Sequence, residues 1–220
     1  MYKNRTQQVF LLPFAGGSSH SFEQIMQLLK PGHDAFALEL PGRGRRHSEA
    51  FIADKHAAVG DYVKSITALR NGMPYIIYGH SMGATLALSV AAELHAMADS
   101  PEAIVVTGNP GPGLERGDGP TPKSSLLSDA DLKTKLRSFG GMPEELLREQ
   151  DLFACIAKTL RADLKILESN DDTGVKPLLN IPIYAAMGIE EEYCEQIDNW
   201  QNYTSAPLHS QVLPGNHFFI

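Results

Sequence analysis

The chain is predicted to be an α/β protein with a mostly parallel, doubly wound sheet and a helical lid insertion. Short apolar runs rich in β-branched and aromatic residues predict strands, and these runs alternate with stretches of helical periodicity. Such alternation is typical of βαβ crossovers, which bury a parallel sheet between helices. The predicted strands cover residues 9–12, 35–40, 75–78, 103–107, 183–187 and 211–213.

Helical stretches separate the earlier strands, at residues 22–29, 57–69 and 84–97. The predicted strands at 103–107 and 183–187 are separated by about seventy residues. One crossover needs far fewer, so this spacing predicts an insertion between them. Ser128 predicts the start of one helix within it. A longer helix is predicted from apolar residues at helical spacing. These residues are Phe153, Ile156, Ala157, Leu160, Leu164 and Leu167.

Two segments are predicted to join this insertion to the sheet as hinges. One is the proline- and glycine-rich run at 109–122, and the other is the polar run at 169–176. We therefore assign residues 1–108 and 177–220 to the core and residues 109–176 to a helical lid. The sequence predicts few ties between the lid and the sheet, so we expect the lid to be mobile.

Composition limits the classes of partner. The chain has 220 residues, of which 43% are hydrophobic, enough for one substantial core. Its formal net charge of −7 argues against nucleic acid, because that binding depends on Lys and Arg that neutralise phosphates. No apolar stretch approaches the roughly 20 residues that span a bilayer, and no signal region precedes residue 9. Cys155 and Cys194 lack metal-ligand spacing. We expect a cytoplasmic monomer without metal, cofactor or membrane contact.

Residues 79–83 read Gly-His-Ser-Met-Gly and lie directly between a predicted strand and a predicted helix. A nucleophile elbow needs this setting, because its serine sits in a strained turn where the chain passes very close to its neighbours. The GxSxG pattern alone is weak evidence, but the flanking strand and helix make it specific. The sequence therefore predicts an α/β-hydrolase fold with Ser81 as the nucleophile.

The first predicted strand ends in residues 12–18, LPFAGGS. The α/β-hydrolase fold places a loop here that supplies one N–H group of the oxyanion hole. We predict that Ala15 donates this N–H and that Met82, the residue after the nucleophile, donates the second. The alternative is a phosphate-binding glycine turn, but the GxGxxG and GxxxxGK patterns are both absent.

The general base must be chosen among eight histidines. In this fold the order along the chain is serine, acid and then a histidine after the last strand. Only His217 follows the last predicted strand, so we predict that it is the base. His80 is expected to pack inside the elbow.

The acid is expected in the loop after the strand at 183–187, where Glu190, Glu191 and Glu192 stand. A glutamate carboxylate can orient the imidazole and stabilise its protonated form. A run of three glutamates is usually only a solvated loop. Glu191 is the leading candidate, and Asp198 is a poorer one.

With these residues in place, the sequence closely resembles the type II thioesterases that act beside polyketide synthases and non-ribosomal peptide synthetases. The resemblance covers nearly the whole chain. The elbow would fit any α/β-hydrolase, whereas the arginine-rich loop and two motifs of the insertion are particular to this family. The matching motifs are residues 12–17 (LPFAGG), 40–46 (LPGRGRR), 79–84 (GHSMGA), 140–143 (GGMP), 160–164 (LRADL) and 215–219 (GNHFF).

This resemblance implies hydrolysis of acyl groups from the phosphopantetheine arm of carrier domains, which clears misprimed or stalled chains from the assembly line. Ser81 and His217 match the family's nucleophile and base. Members usually carry aspartate three residues after the glycine that ends the penultimate strand, and counting from Gly188 gives Glu191. Members also usually continue past the histidine motif into a final helix, whereas this sequence stops at Ile220.

Two alternatives use the same fold: a small-molecule carboxylesterase with the same triad, and a non-catalytic carrier-binding subunit. For a thioesterase we expect the apolar faces of the lid to line an acyl pocket, with Phe139 and Phe153 setting chain-length preference, unless both merely pack the lid helices together. We expect Arg43, Arg45 and Arg46 to help dock an acidic carrier domain, although one of them could instead pair with a carboxylate and hold its loop.

Overall fold

The structure is a computed structural model that describes residues 7–114, 123–169 and 178–220. A six-stranded sheet in the order β2-β1-β3-β4-β5-β6 forms its centre, and each neighbouring pair of strands is parallel. The predicted doubly wound α/β fold is confirmed. The strands are β1 (Gln7–Leu12), β2 (His33–Ala37), β3 (Tyr75–His80), β4 (Ala103–Thr107), β5 (Ile183–Gly188) and β6 (Leu208–Leu213). The α-helices are α1 (Glu23–Leu29), α2 (Lys55–Leu69), α3 (Met82–Ala96), α4 (Asp129–Phe139), α5 (Glu144–Arg148) and α6 (Gln150–Glu168).

Helices cover both faces of the sheet, which is why β1 reads as a continuous apolar run. Successive side chains of a strand point to opposite faces. Val9 and Leu11 pack on the side of α1, whereas Phe10 and Leu12 pack in the larger core with α2 and α3. None of the described helices is long and apolar enough to cross a membrane.

Two strands, β2 and β6, differ most from their predicted bounds, each for an identifiable reason. The apolar run at 35–40 outlasts β2, because Leu38 and Leu40 stay buried in the core after the chain leaves the sheet. The last strand, β6, begins before the predicted residues 211–213. It lies at the edge of the sheet, and its central residues are exposed, so no apolar alternation marks its first half.

The insertion between β4 and β5 is helical, as predicted. The Ser128 side chain accepts a hydrogen bond from the Asp131 N–H at the start of α4, which is the predicted N-cap. Residues of α4, α5 and α6 bury a small core of their own, formed by Leu132, Leu147, Phe153, Ala157 and Leu160. The predicted hinges lie largely in residues 115–122 and 170–177, outside the described residues.

The expectation that the lid has few ties to the sheet is wrong for the second half of α6. This half turns a different face inward from the one predicted. Ile166 is buried in the main core, whereas Leu167 is exposed. Asp163 is buried in an ion pair with Arg43, and the Ser169 hydroxyl accepts a hydrogen bond from the Lys55 N–H at 3.0 Å. Helix α6 is therefore fixed to the body of the protein at its C-terminal end.

The first turn of α3 meets the end of β1 without space for a side chain. A Cβ atom at Gly83 would overlap the carbonyl oxygen of Leu12, and one at Gly79 would overlap the carbonyl oxygen of Gly83. Both clashes are with main-chain atoms, which cannot move aside as a flexible side chain can. The elbow between β3 and α3 therefore requires glycine at both positions.

We predict opposite effects for the same substitution at two helical glycines. Gly83→Ala should lower the free energy of unfolding by about 1–3 kcal/mol, the usual effect of overpacking, because α3 must shift away from β1. Gly60→Ala should raise it by about 0.5–1 kcal/mol, because Gly60 is exposed within α2 and has open space around it. Urea denaturation measures both changes. Shifts of the same sign would contradict this account of the elbow.

Candidate active site

Ser81 occupies a strained turn between β3 and α3. Its backbone angles are φ 56° and ψ −112°, a combination that a residue with a Cβ atom rarely adopts. Two hydrogen bonds hold it there: the Ser81 N–H donates to the Thr107 carbonyl at 2.8 Å, and the Asn109 side chain donates to the Ser81 carbonyl at 3.1 Å. The Ser81 side chain makes no capping hydrogen bond to α3. Its hydroxyl is therefore not used to stabilise the helix that follows it.

His217 and Glu191 lie against each other in the loops that follow the last two strands. His217 Nδ1 is 2.5 Å from Glu191 Oε2. The other carboxylate oxygen, Oε1, accepts a hydrogen bond from the Gly188 N–H at 2.7 Å. The exposed neighbours Glu190 and Glu192 take no part in this contact. The carboxylate is thus held by the main chain on one side and orients the imidazole on the other, which leaves Nε2 as the nitrogen that can accept a proton.

The imidazole of His217 lies over the carboxyl ends of β3 and β4. Its Cε1 atom is 3.1 Å from the position that a Cβ of Gly108 would take. Gly108 follows Thr107, whose carbonyl accepts the Ser81 N–H. The histidine and the strained serine therefore share one edge of the sheet, which in a doubly wound fold is the edge where ligands bind.

His80 forms the floor beneath His217, with ring centroids 4.9 Å apart. It is fully buried, and its Nδ1 is 2.8 Å from the Thr107 hydroxyl oxygen, which in turn is 2.7 Å from the Tyr78 hydroxyl. Burial and, second, the nearby charge of His217 lower the pKa of His80 to about 3. His80 is therefore neutral near pH 7 and packs inside the elbow.

The N–H groups of Ala15 and Met82 donate no hydrogen bond to another described residue. Met82 is the first residue of α3, so its N–H has no partner within the helix and carries part of the positive end of the helix dipole. Ala15 is in a turn after β1, closed by a hydrogen bond from the Gly17 N–H to the Phe14 carbonyl at 2.9 Å. The contact between Gly83 and the end of β1 brings these two segments together.

The tip of the insertion covers the histidine loop. The Phe139 ring lies 5.3 Å from the His217 ring and remains 41% exposed. Next to it, a Cβ at Gly141 would overlap the ring of Phe218, so the glycine allows close contact. Phe153 lies elsewhere, 2% exposed within the core of the insertion. The two phenylalanines that the sequence groups together are therefore in different environments.

The expectation that all three arginines help to dock a carrier domain is wrong for Arg43, where the alternative holds that one of them pairs with a carboxylate. Arg43 is buried and pairs with Asp163, because its guanidinium lies between the end of β1 and α6. Arg46 pairs with Glu49 and Asp61, and the hydrogen bonds that it donates to these two carboxylates raise its pKa. Only Arg45 of the three is exposed.

Sequence reasoning missed the role of Asp163. Its carboxylate accepts a hydrogen bond from the Gly16 N–H at 2.7 Å, beside the predicted oxyanion donor. The signal was present in the helical spacing, since Asp163 stands three residues after Leu160 and three before Ile166, on the buried side of α6. A carboxylate at a buried position of a helix requires a partner.

Comparisons with known proteins agree with this geometry. A profile of the thioesterase domain family matches residues 7–220. The medium-chain S-acyl fatty acid synthase thioesterase of Rattus norvegicus is 28% identical over 217 residues, which are 97% of this chain and 81% of the relative. The gramicidin S biosynthesis protein GrsT of Aneurinibacillus migulanus is 26% identical over 218 residues, 97% of this chain and 82% of the relative.

A solved structure gives the same result in three dimensions. The type II thioesterase BorB from the borrelidin biosynthetic cluster superposes with a TM-score of 0.86 at 28% identity, over 99% of this chain and 87% of that one. The family profile spans the strands, the strained serine and the loops with Glu191 and His217. The chain therefore belongs to the thioesterase domain family, and its structural neighbours are thioesterases of the α/β-hydrolase fold.

Proposed function

We propose that this protein is a serine hydrolase that releases acyl groups from the phosphopantetheine arm of carrier domains, and so edits misprimed or stalled polyketide or non-ribosomal peptide assembly lines. The observation that carries the proposal is the contact between His217 and Glu191 at the edge of the sheet that holds the strained Ser81. The named biosynthetic pathways of the relatives support the substrate class.

In the proposed reaction, Ser81 Oγ attacks the thioester carbonyl carbon while His217 Nε2 takes the hydroxyl proton. Glu191 stabilises the imidazolium that forms. The N–H groups of Ala15 and Met82 stabilise the oxyanion. Collapse of the intermediate breaks the C–S bond, and His217 returns the proton to the leaving thiolate. Water then attacks the acyl-serine in the same way, which releases the carboxylic acid and restores the serine.

The surroundings of His217 suit this cycle. The imidazolium needs one negative neighbour and no competing positive charge, because a like charge nearby would destabilise it. Glu191 supplies the negative charge, and the neutral His80 adds no positive charge below it. For the carrier domain, the exposed Arg45 is the residue of the arginine loop that we propose to contact it, since Arg43 and Arg46 form ion pairs with carboxylates within the protein.

Ser81→Ala should abolish release of acyl groups from carrier domains while the protein stays folded, because the hydroxyl has no structural hydrogen bond to α3. His217→Ala should be nearly as inactive, since an unassisted serine hydroxyl is a weak nucleophile. Acyl release is measured on loaded carrier domains, and a fluorophosphonate should label the wild type but not Ser81→Ala. Retained hydrolysis in Ser81→Ala would exclude a serine hydrolase, and an unlabelled wild type would favour a non-catalytic carrier-binding protein.

Glu191→Gln should lower kcat by about 10²–10⁴-fold, because the amide cannot stabilise the imidazolium and favours the wrong tautomer. The neighbouring glutamates provide matched controls. Glu190→Gln and Glu192→Gln remove the same charge from exposed positions of the same loop and should leave kcat within about twofold, as expected for surface changes. Steady-state kinetics on an acyl thioester distinguish the three. An equal decrease in kcat in all three variants would mean that the loop acts only through its total charge.

Phe139→Ala should change the preference for acyl chain length with little effect on stability, because the ring is partly exposed beside His217. Phe153→Ala should instead lower the free energy of unfolding by about 3–5 kcal/mol, as for a large side chain removed from a core. Relative rates on a series of acyl chain lengths and chemical denaturation measure the two effects. An unchanged chain-length profile in Phe139→Ala would mean that this ring only packs against the histidine loop.

A further inference from the structure

Two buried charged side chains, Asp163 and Arg43, bind an N–H group and a carbonyl group of the turn that carries Ala15. Asp163 Oδ2 accepts a hydrogen bond from the Gly16 N–H at 2.7 Å, and Arg43 donates to the Gly17 carbonyl at 3.3 Å. The same two side chains form two hydrogen bonds to each other, at 2.6 and 2.5 Å. The turn, the loop after β2 and helix α6 are thus joined at one point.

The hydrogen bond to Asp163 selects the conformation of this turn. Gly16 has φ +82°, the value that the third residue of a type II turn adopts, and the Gly17 N–H closes the turn onto Phe14. In a type I turn the peptide between Ala15 and Gly16 would face the opposite way. A carboxylate that accepts the Gly16 N–H therefore favours the type II form, and hydrogen bonds to a charged acceptor are stronger than neutral ones.

The pair is buried deeply enough to need this geometry. The side chains of Arg43 and Asp163 are 4% and 0% exposed. Burial alone would lower the pKa of Arg43, but the hydrogen bonds and charge of Asp163 raise it, so the guanidinium stays charged. Buried ion pairs seldom stabilise a fold more than apolar residues of the same size would. Stability alone is therefore a weak reason for a buried pair at this place.

We propose that Asp163, held by Arg43, is a positioning residue: by binding the Gly16 N–H it keeps the turn after β1, and with it the neighbouring Ala15 N–H, in place beside the oxyanion. Because Asp163 lies on α6, the oxyanion hole is complete only while this end of the insertion is docked. This role rests on the proposed function, since it requires that a tetrahedral oxyanion forms beside Ser81.

The test replaces the pair with apolar residues of similar size. Arg43→Met with Asp163→Leu removes both charges and the acceptor for the Gly16 N–H, and such exchanges are often neutral or stabilising. Arg43→Met with Asp163→Asn is the matched control, because the asparagine oxygen can still accept that N–H. Thermal unfolding compares stability, and steady-state kinetics on a p-nitrophenyl acyl ester give kcat and KM.

We expect the leucine double variant to unfold near the wild-type temperature, to lose at least about tenfold in kcat and to keep KM within about threefold, because loss of one oxyanion donor typically lowers kcat by about 10²–10³-fold. The asparagine double variant should recover much of the lost kcat. A leucine variant with wild-type kcat, or two double variants with equal kcat, would overturn the positioning role. Hydrolysis of the ester requires the oxyanion hole but no carrier domain. If the carrier assignment were wrong, the wild type would fail on acyl-carrier substrates but still hydrolyse the ester, and the comparison of the variants would remain valid.

A second measurement needs no variant. Hydrogen exchange of the wild-type amides should show the Gly16 N–H strongly protected, although it lies in a loop, because it donates to a buried carboxylate. Exchange at the rate of an exposed loop amide would show that the contact is not maintained in solution, and that result would also overturn the proposal.

Discussion

The close approach of two main-chain segments organises the edge of the sheet where the candidate site lies. Helix α3 begins so near the end of β1 that Gly83 touches the Leu12 carbonyl, and Gly79 in turn touches the Gly83 carbonyl. With no room for side chains, the turn between them is sharp, and its central residue, Ser81, takes a strained conformation. Strain of this kind persists only when the surroundings over-determine it. Here the Ser81 N–H donates to the Thr107 carbonyl of β4, and the Ser81 carbonyl accepts a hydrogen bond from the Asn109 side chain.

Main-chain groups also fix the positions of charged side chains at this edge. Two acidic side chains near it each have a fixed partner: Glu191 contacts His217 and the Gly188 N–H, and Asp163 contacts Arg43 and the Gly16 N–H. In both cases the carboxylate accepts a hydrogen bond from a main-chain N–H and also contacts a basic side chain. Because the main chain holds each carboxylate, the position of the basic group follows from the fold rather than from side-chain freedom.

Much of this arrangement could be predicted from the sequence, and the successes share a physical cause. Nearly every strand was predictable because it is a buried, continuous apolar run, and helices α2 and α3 were predictable because their apolar residues recur at helical spacing. The elbow was predictable because its glycines are required by backbone contact, which leaves a short and rigid pattern. Edge strand β6 was less predictable, since its exposed residues carry no apolar alternation.

What the sequence did not predict depends on contacts between residues far apart in the chain. Arg43 and Asp163 are separated by 120 positions, and neither motif alone shows that they meet. The three arginines of one loop cannot be told apart from the sequence alone, yet Arg43 is buried, Arg46 binds two carboxylates and Arg45 is exposed. Local patterns indicate that a charge is present, whereas its partner is decided by which loops the sheet order brings together.

The two ends of the insertion are attached to the rest of the protein in different ways. Its distal part, α4 with the glycines that follow, lies against the histidine loop through Phe139 and Gly141, contacts between a half-exposed ring and a loop. Its proximal part, the end of α6, is anchored by Ile166 in the main core and by the buried ion pair of Asp163. Any opening that admits an acyl chain would therefore separate the distal contacts first, because they rest on a partly exposed ring and no buried charge, while the anchored end of α6 keeps the turn of Ala15 in place.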